Sequence, residues 1–212
     1  LFISFEGGEG SGKTTQIRCL EEWFRHQGRD VVVTREPGGS PGAEEIRNLL
    51  LTGDPGRWDA VTEAFLMFAS RRDHVERTIR PALADGKVVL CDRFADSSVA
   101  YQGYGHGLGA EYIRNLWALA IGDFKPDLTL IFDLPIEVGL GRAGARFANV
   151  SAAEDRFERM GVEFHQRLRD GFKEISQTDA DRCRMIDANS DIDTVAERMI
   201  SAVKDGLTRQ GS

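Results

Sequence analysis

The chain has 212 residues, 41% of them hydrophobic and 29% charged, which is enough for one domain with a sizeable core. Its 34 acidic against 27 basic side chains leave a net charge of −7, which argues against general nucleic-acid binding, and no apolar run approaches the ~20 residues of a membrane helix. The three cysteines, Cys19, Cys91 and Cys183, lack CxxC spacing and the four histidines are scattered, so neither a disulfide frame nor a Cys/His metal site is indicated.

In chain order, an apolar strand over Phe2–Glu6 comes first. It runs into Gly7-Gly8-Glu9-Gly10-Ser11-Gly12-Lys13-Thr14, which fits G-x-x-x-x-G-K-[ST]. A helix carrying Ile17, Leu20, Trp23 and Phe24 at helical spacing runs out of it and stops before Gly28. Strand, glycine-rich turn and helix predict an ATP-binding phosphate cradle spanning Gly7 to Thr15. The glycines let successive backbone N–H groups face one phosphate chain, and the helix N-terminus adds partial positive charge. In this pattern Lys13 reaches the β- and γ-phosphates and the Thr14 hydroxyl ligates Mg²⁺.

A second strand, Val31–Arg35, leads to Thr34-Arg35-Glu36-Pro37-Gly38-Gly39. Helices follow over Ala43–Leu51 and Trp58–Arg80, the latter expected to end at Pro81. The third strand, Lys87–Asp92, places Asp92 at its end, where a carboxylate can hold Mg²⁺. Further on come a helix over Glu111–Ile121, a strand over Leu128–Leu134 and a helix over Glu137–Ala143. Last are a helix over Asp155–Glu174, a strand over Arg184–Asp187 and a helix over Asp193–Leu207. The alternation predicts an α/β fold in which five parallel strands are covered by helices on both faces, with ligands at the carboxyl ends of the strands. Residues 1–212 form one domain in this reading, and the irregular stretch from Arg142 to Asp155 is either a mobile lid or a surface loop. No signal peptide is visible, and because the chain opens on Leu1 an initiator Met and a short leader are expected to precede it. The cytoplasm is the expected compartment.

Two other nucleotide-binding classes fail on residues. A GTPase needs N-K-x-D, and Lys125-Pro126-Asp127 lacks the Asn. In a dinucleotide fingerprint read from Gly8-x-Gly10, the third glycine position is Lys13.

The motif Thr34–Gly39, the helix Phe65–His74 and the run Asp92-Arg93-Phe94 with Ser97-Ser98-Val99-Ala100-Tyr101-Gln102-Gly103 come together with Asp155-Arg156-Phe157-Glu158. In this combination the chain resembles thymidylate kinase, from Phe2 to Asn189. The resemblance implies a P-loop nucleoside-monophosphate kinase fold that phosphorylates dTMP to dTDP with Mg²⁺ and ATP, as a homodimer with no nucleic-acid or membrane partner. A deoxynucleoside kinase and a P-loop ATPase switch are the alternatives.

Elementary chemistry points the same way. A nucleoside monophosphate is largely dianionic at pH 7, its second pKa being about 6. It needs no general base, so cations should dominate the site. Arg93, just past a strand end, is expected to hold the acceptor phosphate, with Arg71 sharing that task. The resemblance implies the remaining roles. Glu9 faces the acceptor sugar near the metal, Ser98 and Gln102 meet the base edge, and Tyr101 crowds the ribose 2′ position. Arg47 approaches the thymine carbonyl, and Glu36 and Pro37, joined by a cis bond, line the acceptor side. The cradle has Lys13 as its one cation, so Arg142 and Arg146 in the lid are expected to add positive charge, as in bacterial-type relatives. One departure stands out. Where the family usually places a Phe that stacks on thymine, this chain has Met67, with Phe68 next to it and so about 100° further round the helix.

Overall fold

Strand β1 (Phe2–Gly7) lies at the centre of a five-stranded sheet whose order is β2-β3-β1-β4-β5. Its partners are β2 (Val31–Arg35), β3 (Val88–Asp92), β4 (Leu128–Asp133) and β5 (Cys183–Asp187). Every pairing is parallel. The computed structural model describes residues 1–54, 56–147 and 160–210.

The helices cover both faces, which is why the central strands read as nearly continuous apolar runs. On one face Ile3, Phe5, Leu90, Leu130 and Phe132 pack against Leu20 and Phe24 of α1 (Lys13–His26) and Met199 and Val203 of α9 (Ile192–Gln210). On the other, Ile131 packs with Phe68 of α3 (Ala60–His74), Ile113 and Leu116 of α6 (Ala110–Ile121) and Leu168 and Phe172 of α8 (Val162–Thr178). A third cluster joins Phe2, Val89 and Cys91 to Phe94, Val75 and Ile79. Helix α2 (Pro41–Leu51) lies against α3, and α7 (Ile136–Phe147) follows β4. Among the described residues, no helix is long and apolar enough to cross a membrane.

Several helical boundaries differ from the sequence reading. The helix after Asp59 does not stop at Pro81. It opens into one wide turn at Val75–Ile79 and resumes as α4 (Arg80–Ala84), with Pro81 in its first turn, where a missing N–H is harmless. Asp59 caps the start of α3 by accepting from the Val61 and Thr62 N–H groups, so that helix begins at Ala60 rather than Trp58. The segment expected to be a lid begins inside α7, which runs to Phe147 and so carries Arg142 on helix. Residues 148–159, including Asp155-Arg156-Phe157-Glu158, lie outside the described residues, and α8 begins at Val162 after an extended Gly161.

β1 is not wholly apolar. Ser4 and Glu6 share its α3/α6 side by the two-residue period of a strand, and both are fully buried. Ser4 Oγ pairs with Thr129 Oγ1 at 2.8 Å. Beneath the one-turn helix α5 (Ala95–Ser98), Arg182 donates to both Asp96 oxygens at 2.7 and 3.0 Å and to Thr129 Oγ1. This polar layer fastens α5 to the sheet. The Arg182–Asp96 pair is buried on both sides, so removing one partner strands the other charge. Arg182→Met is expected to cost about 3–5 kcal/mol in urea unfolding, by the usual penalty for breaking a buried pair. A loss below about 1 kcal/mol would show that Asp96 finds another partner or a proton at no great cost.

Candidate active site

The site forms where the carboxyl ends of β1, β2 and β3 meet the glycine-rich turn. Gly7 ends β1 with φ 131°, and Gly10 takes φ 68°, a backbone that glycine adopts freely. Space adds a second constraint. A Cβ on Gly10 would lie 2.1 Å from the Gly139 carbonyl oxygen, and one on Gly139 would lie 2.6 Å from the Glu9 carbonyl oxygen. The cradle and α7 therefore touch backbone to backbone. Gly139 carried no motif in the sequence. Arg142, exposed, lies one turn beyond it on α7, and Arg146 is one turn further, with its side chain outside the described part.

Lys13 folds back over the loop, its Nζ donating to the Gly7 and Gly8 carbonyls at 3.2 and 3.1 Å. Arg93 donates to the same Gly7 carbonyl at 3.0 Å. A buried cation and a half-buried one thus converge on one oxygen. Burial, then the Arg93 charge, pulls the Lys13 ammonium down to about 8, against the opposing pull of Asp92, Glu9 and Glu6. Burial pushes Glu9 up, but Arg93 and Lys13 outweigh it and hold its carboxyl below the usual range. Glu9 Oε1 accepts from Arg93 at 2.9 Å and from the Tyr101 hydroxyl at 2.6 Å, and the Arg93 guanidinium lies over the Tyr101 ring at 4.9 Å.

Arg93 is the single non-glycine residue with positive φ among the described residues, at 69°. That conformation costs a residue with a side chain roughly 1–3 kcal/mol. The contacts around it hold the turn. The Arg93 N–H donates to the Phe5 carbonyl at 2.9 Å, and the next N–H, Phe94, donates to Glu6 Oε1 at 2.8 Å. Ser97 Oγ donates to Glu6 Oε2.

Thr14 Oγ1 and Asp92 Oδ2 stand 3.5 Å apart beside the loop. They are hard oxygen donors, which suits Mg²⁺, an ion that keeps several waters and shares its ligands with phosphates. Among the described residues no three acidic, His or Cys side chains gather at metal-ligating spacing. Glu9 has its Oε1 committed to Arg93 and Tyr101 rather than to this pair.

An open cleft of about 2520 Å³, solvent at its mouth included, takes in the cradle from Glu9 to Thr15, Asp92 and Arg93. It also takes in Glu36, Pro37, Arg47, Met67, Arg71, Ser98, Tyr101 and Gln102, so nearly all the expected site residues meet. The Glu36–Pro37 bond is cis, and Arg47 donates to the Pro37 carbonyl at 2.7 Å. Met67 lines the cleft, whereas Phe68 turns into the core and supports Arg71 from below, the guanidinium 4.6 Å from its ring centre. Arg71 is buried and held by three partners. It donates to Glu36 Oε2 at 2.6 Å, to Ser98 Oγ at 3.1 Å and to the Phe94 carbonyl at 3.1 Å. The other Glu36 oxygen meets His74 Nδ1 at 3.0 Å, and His74 Nε2 meets Thr34 Oγ1 at 2.7 Å. Gln102 gives its Nε2 to Glu63 at 2.8 Å, which turns Oε1 the other way; that oxygen is buried without a partner among the described residues. Tyr101 and Gln102 both sit in a second wide helical turn, Val99–Gly105.

Comparison with known proteins gives one family. A model described as thymidylate kinase matches residues 5–199. A thymidylate kinase of Caulobacter vibrioides is 55% identical over 203 residues, covering 96% of this chain and 95% of its own length. One of Ruegeria pomeroyi is 54% identical, covering 99% and 97%. The crystal structure of a thymidylate kinase from Ehrlichia chaffeensis superposes with a TM-score of 0.77 at 36% identity, over 96% of this chain and 98% of that one.

The buried Glu6 carries a stability signature. Burial first, then the Asp96 charge, pushes its carboxyl from about 4.5 in the unfolded chain to about 8 in the fold. Between those values the folded chain holds the extra proton, so this group's contribution to stability falls as pH rises through the window. Gln cannot titrate. The melting temperature of Glu6→Gln should therefore gain on the wild type as pH goes from 5 to 8. A difference that stays constant across that range would mean that Glu6 is charged in the fold.

Proposed function

The chain belongs to the thymidylate kinase family, and we propose that its cleft brackets the phosphoryl group passing from ATP to dTMP with Lys13 and Arg93. The reaction yields ADP and dTDP. The single observation that carries this reading is the shared Gly7 carbonyl, against which a donor-side and an acceptor-side cation both lie. Two cations so close repel each other in the absence of anions, and two phosphate groups brought together repel likewise. Each repulsion offsets the other when the substrates bind. That is preorganised charge aimed at the barrier itself. With family membership shown, the deoxynucleoside kinase and ATPase-switch readings fall away.

Thr14 and Asp92 would hold Mg²⁺, which supplies counter-charge to the bridging phosphates when bound. The cradle's N–H groups and Lys13 orient the donor phosphates. Arg142, one helical turn beyond the Gly139 contact with the cradle, and Arg146 after it would add donor-side charge. Arg93 holds the acceptor phosphate, with Tyr101 and Glu9 fixing its guanidinium.

For Arg71 the geometry supports a different task from the phosphate sharing expected of it. Its charge is already matched by Glu36 at 2.6 Å in a buried pair, so it offers donors with little net charge. That suits a neutral carbonyl better than a dianion. Its neighbours Ser98 and Gln102 are the residues expected at the base edge. The buried Gln102 Oε1, its orientation fixed by Glu63, can accept an imide N–H of thymine. Met67 covers the base face with a flexible thioether.

A second copy of the chain fits the surface around α3 and α6. Val61, Phe65 and Arg72 share one side of α3, and Tyr112 and Leu119 share one side of α6 by the helical period. Arg72 reaches the Ala120 carbonyl at 3.3 Å, so the two sides adjoin, and Leu119 is 84% exposed. The three free thiols suit a reducing compartment, and the cytoplasm is where we place the enzyme.

ADP formation from Mg-ATP should be far faster with dTMP than with dUMP, UMP, CMP, AMP or thymidine. Equal rates with dUMP would remove Met67 from thymine selection, and equal rates with UMP would remove Tyr101 from sugar selection. The paired substitution Phe65→Asp with Leu119→Asp should convert a dimer to a monomer in sedimentation. A wild type that already sediments as a monomer would sink the proposed interface.

A further inference from the structure

We propose that Glu6 is a positioning residue that ties the donor cradle to the acceptor arginine and so keeps the two phosphate sites in register. The inference rests on Arg93 holding the acceptor phosphate. Glu6 is fully buried and does not line the cleft. It stands on β1 immediately before Gly7, where the cradle begins. Its two oxygens reach across to the turn that carries Arg93: Oε1 takes the Phe94 N–H at 2.8 Å, and Oε2 takes the Ser97 hydroxyl. Ser97 Oγ in turn lies 3.3 Å from the Arg93 guanidinium, so the same hydroxyl bridges clamp and cation.

The left-handed backbone at Arg93 shows why a clamp is needed there. β3 would otherwise carry Arg93 straight on. Instead the chain turns at φ 69°, drops the Phe94 N–H into the protein interior and aims the guanidinium back over Gly7. A buried N–H with no partner is strongly unfavourable, so the acceptor at Glu6 is what makes this turn the stable one. The Arg93 guanidinium also ties this turn to β1, through the Gly7 carbonyl, but it is the group to be positioned. In-line transfer tolerates little error, a 1 Å misplacement costing on the order of 10²-fold.

Burial pushes the Glu6 carboxyl up to about 8, so at neutral pH it is largely protonated, Oε2–H then donating to Ser97 Oγ, and Gln reproduces its shape and charge there. A glutamine keeps one oxygen for the Phe94 N–H and can donate its amide to the Ser97 hydroxyl. Leucine fills the space and makes neither bond.

The test compares Glu6→Leu, Glu6→Gln, Ser97→Ala and Arg93→Ala by steady-state kinetics per folded molecule, with dTMP affinity by calorimetry. Glu6→Leu should lower kcat/KM for dTMP at least about tenfold while KM for ATP moves less than about twofold, a split expected when alignment rather than folding is lost. Glu6→Gln should restore it to within about threefold of the wild type, because both hydrogen bonds survive. Ser97→Ala, which leaves the Phe94 contact in place and is safe for folding, should show the same split at about threefold. Equal losses on the ATP and dTMP sides, a Glu6→Gln no better than Glu6→Leu, or a Glu6→Leu within threefold of wild type would each overturn the clamp. Arg93→Ala separates the premise from the inference. If it retains full dTMP affinity, the placement of the acceptor phosphate at Arg93 fails. If it loses affinity while Glu6→Leu keeps wild-type kinetics, only the clamp fails.

Discussion

The convergence of Lys13 and Arg93 on the Gly7 carbonyl is the constraint on which the rest of the site depends. Like charges do not gather in a low-dielectric interior unless something compels them, and the cost grows as water is excluded. Here the compulsion is covalent and steric. Lys13 is fixed by a loop whose glycines bend it back on itself, and Arg93 by a left-handed turn at the end of β3. Glu9 and Asp92 soften the repulsion without cancelling it, because Glu9 is divided between Arg93 and Tyr101 and Asp92 stands by Thr14. A protein of net charge −7 thus gathers its phosphate-binding cations as a local pair.

That pair needs a rigid base, and the base is polar. Around α5 three buried acids take three different solutions. Asp96 is held by a two-pronged pair with Arg182, Glu36 is held between Arg71 and His74, and Glu6 takes up a proton. Burying a charge is tolerable only with a partner, and a group without one becomes neutral. All three solutions serve one short stretch, Asp92 to Ser98, in which metal-side carboxylate, acceptor arginine and base-side hydroxyl follow one another. The fold is therefore stiffest in polar contacts where the chemistry demands the finest positioning.

Much of this was legible in the residues. The alternation of apolar runs and helical stretches predicted the five parallel strands, and the cradle sequence located the site at their carboxyl ends. The cleft gathers residues from four separate motifs, as the family resemblance implied. Other features were hidden for physical reasons. Pro81 marked a helix end by its missing N–H, but the wide turn at Val75–Ile79 lets the helical path continue. Wide turns depend on tertiary packing and leave no period in the sequence. Gly139 looked like an ordinary helix glycine, because its close approach to Gly10 exists only once α7 is docked. Ser4 and Glu6 did leave a trace. Two polar residues at i and i+2 interrupt one side of a strand that should be buried on both sides, and that pattern marks an internal polar layer.

Arg71 and Arg93 show how far environment, rather than residue type, assigns work. Both are guanidinium groups at the same cleft, and both rest against aromatic rings. Arg71 has a whole buried carboxylate to itself, further fixed by His74, so its charge is spent before any ligand arrives. What it retains is direction, a planar set of donors held between Phe68 and Phe94. Arg93 shares one oxygen of Glu9 with a tyrosine, is held in its charged form by Glu9, Asp92 and Glu6 against its burial, and faces a second cation across a carbonyl at the cleft. A dianionic phosphate relieves the second arrangement far more than the first, and a neutral carbonyl loses nothing by meeting the first. In the proposed orientation the acceptor phosphate meets Arg93 where Lys13 shares the Gly7 carbonyl and two cations face it, and the base meets Arg71, whose charge is already paired with a buried carboxylate.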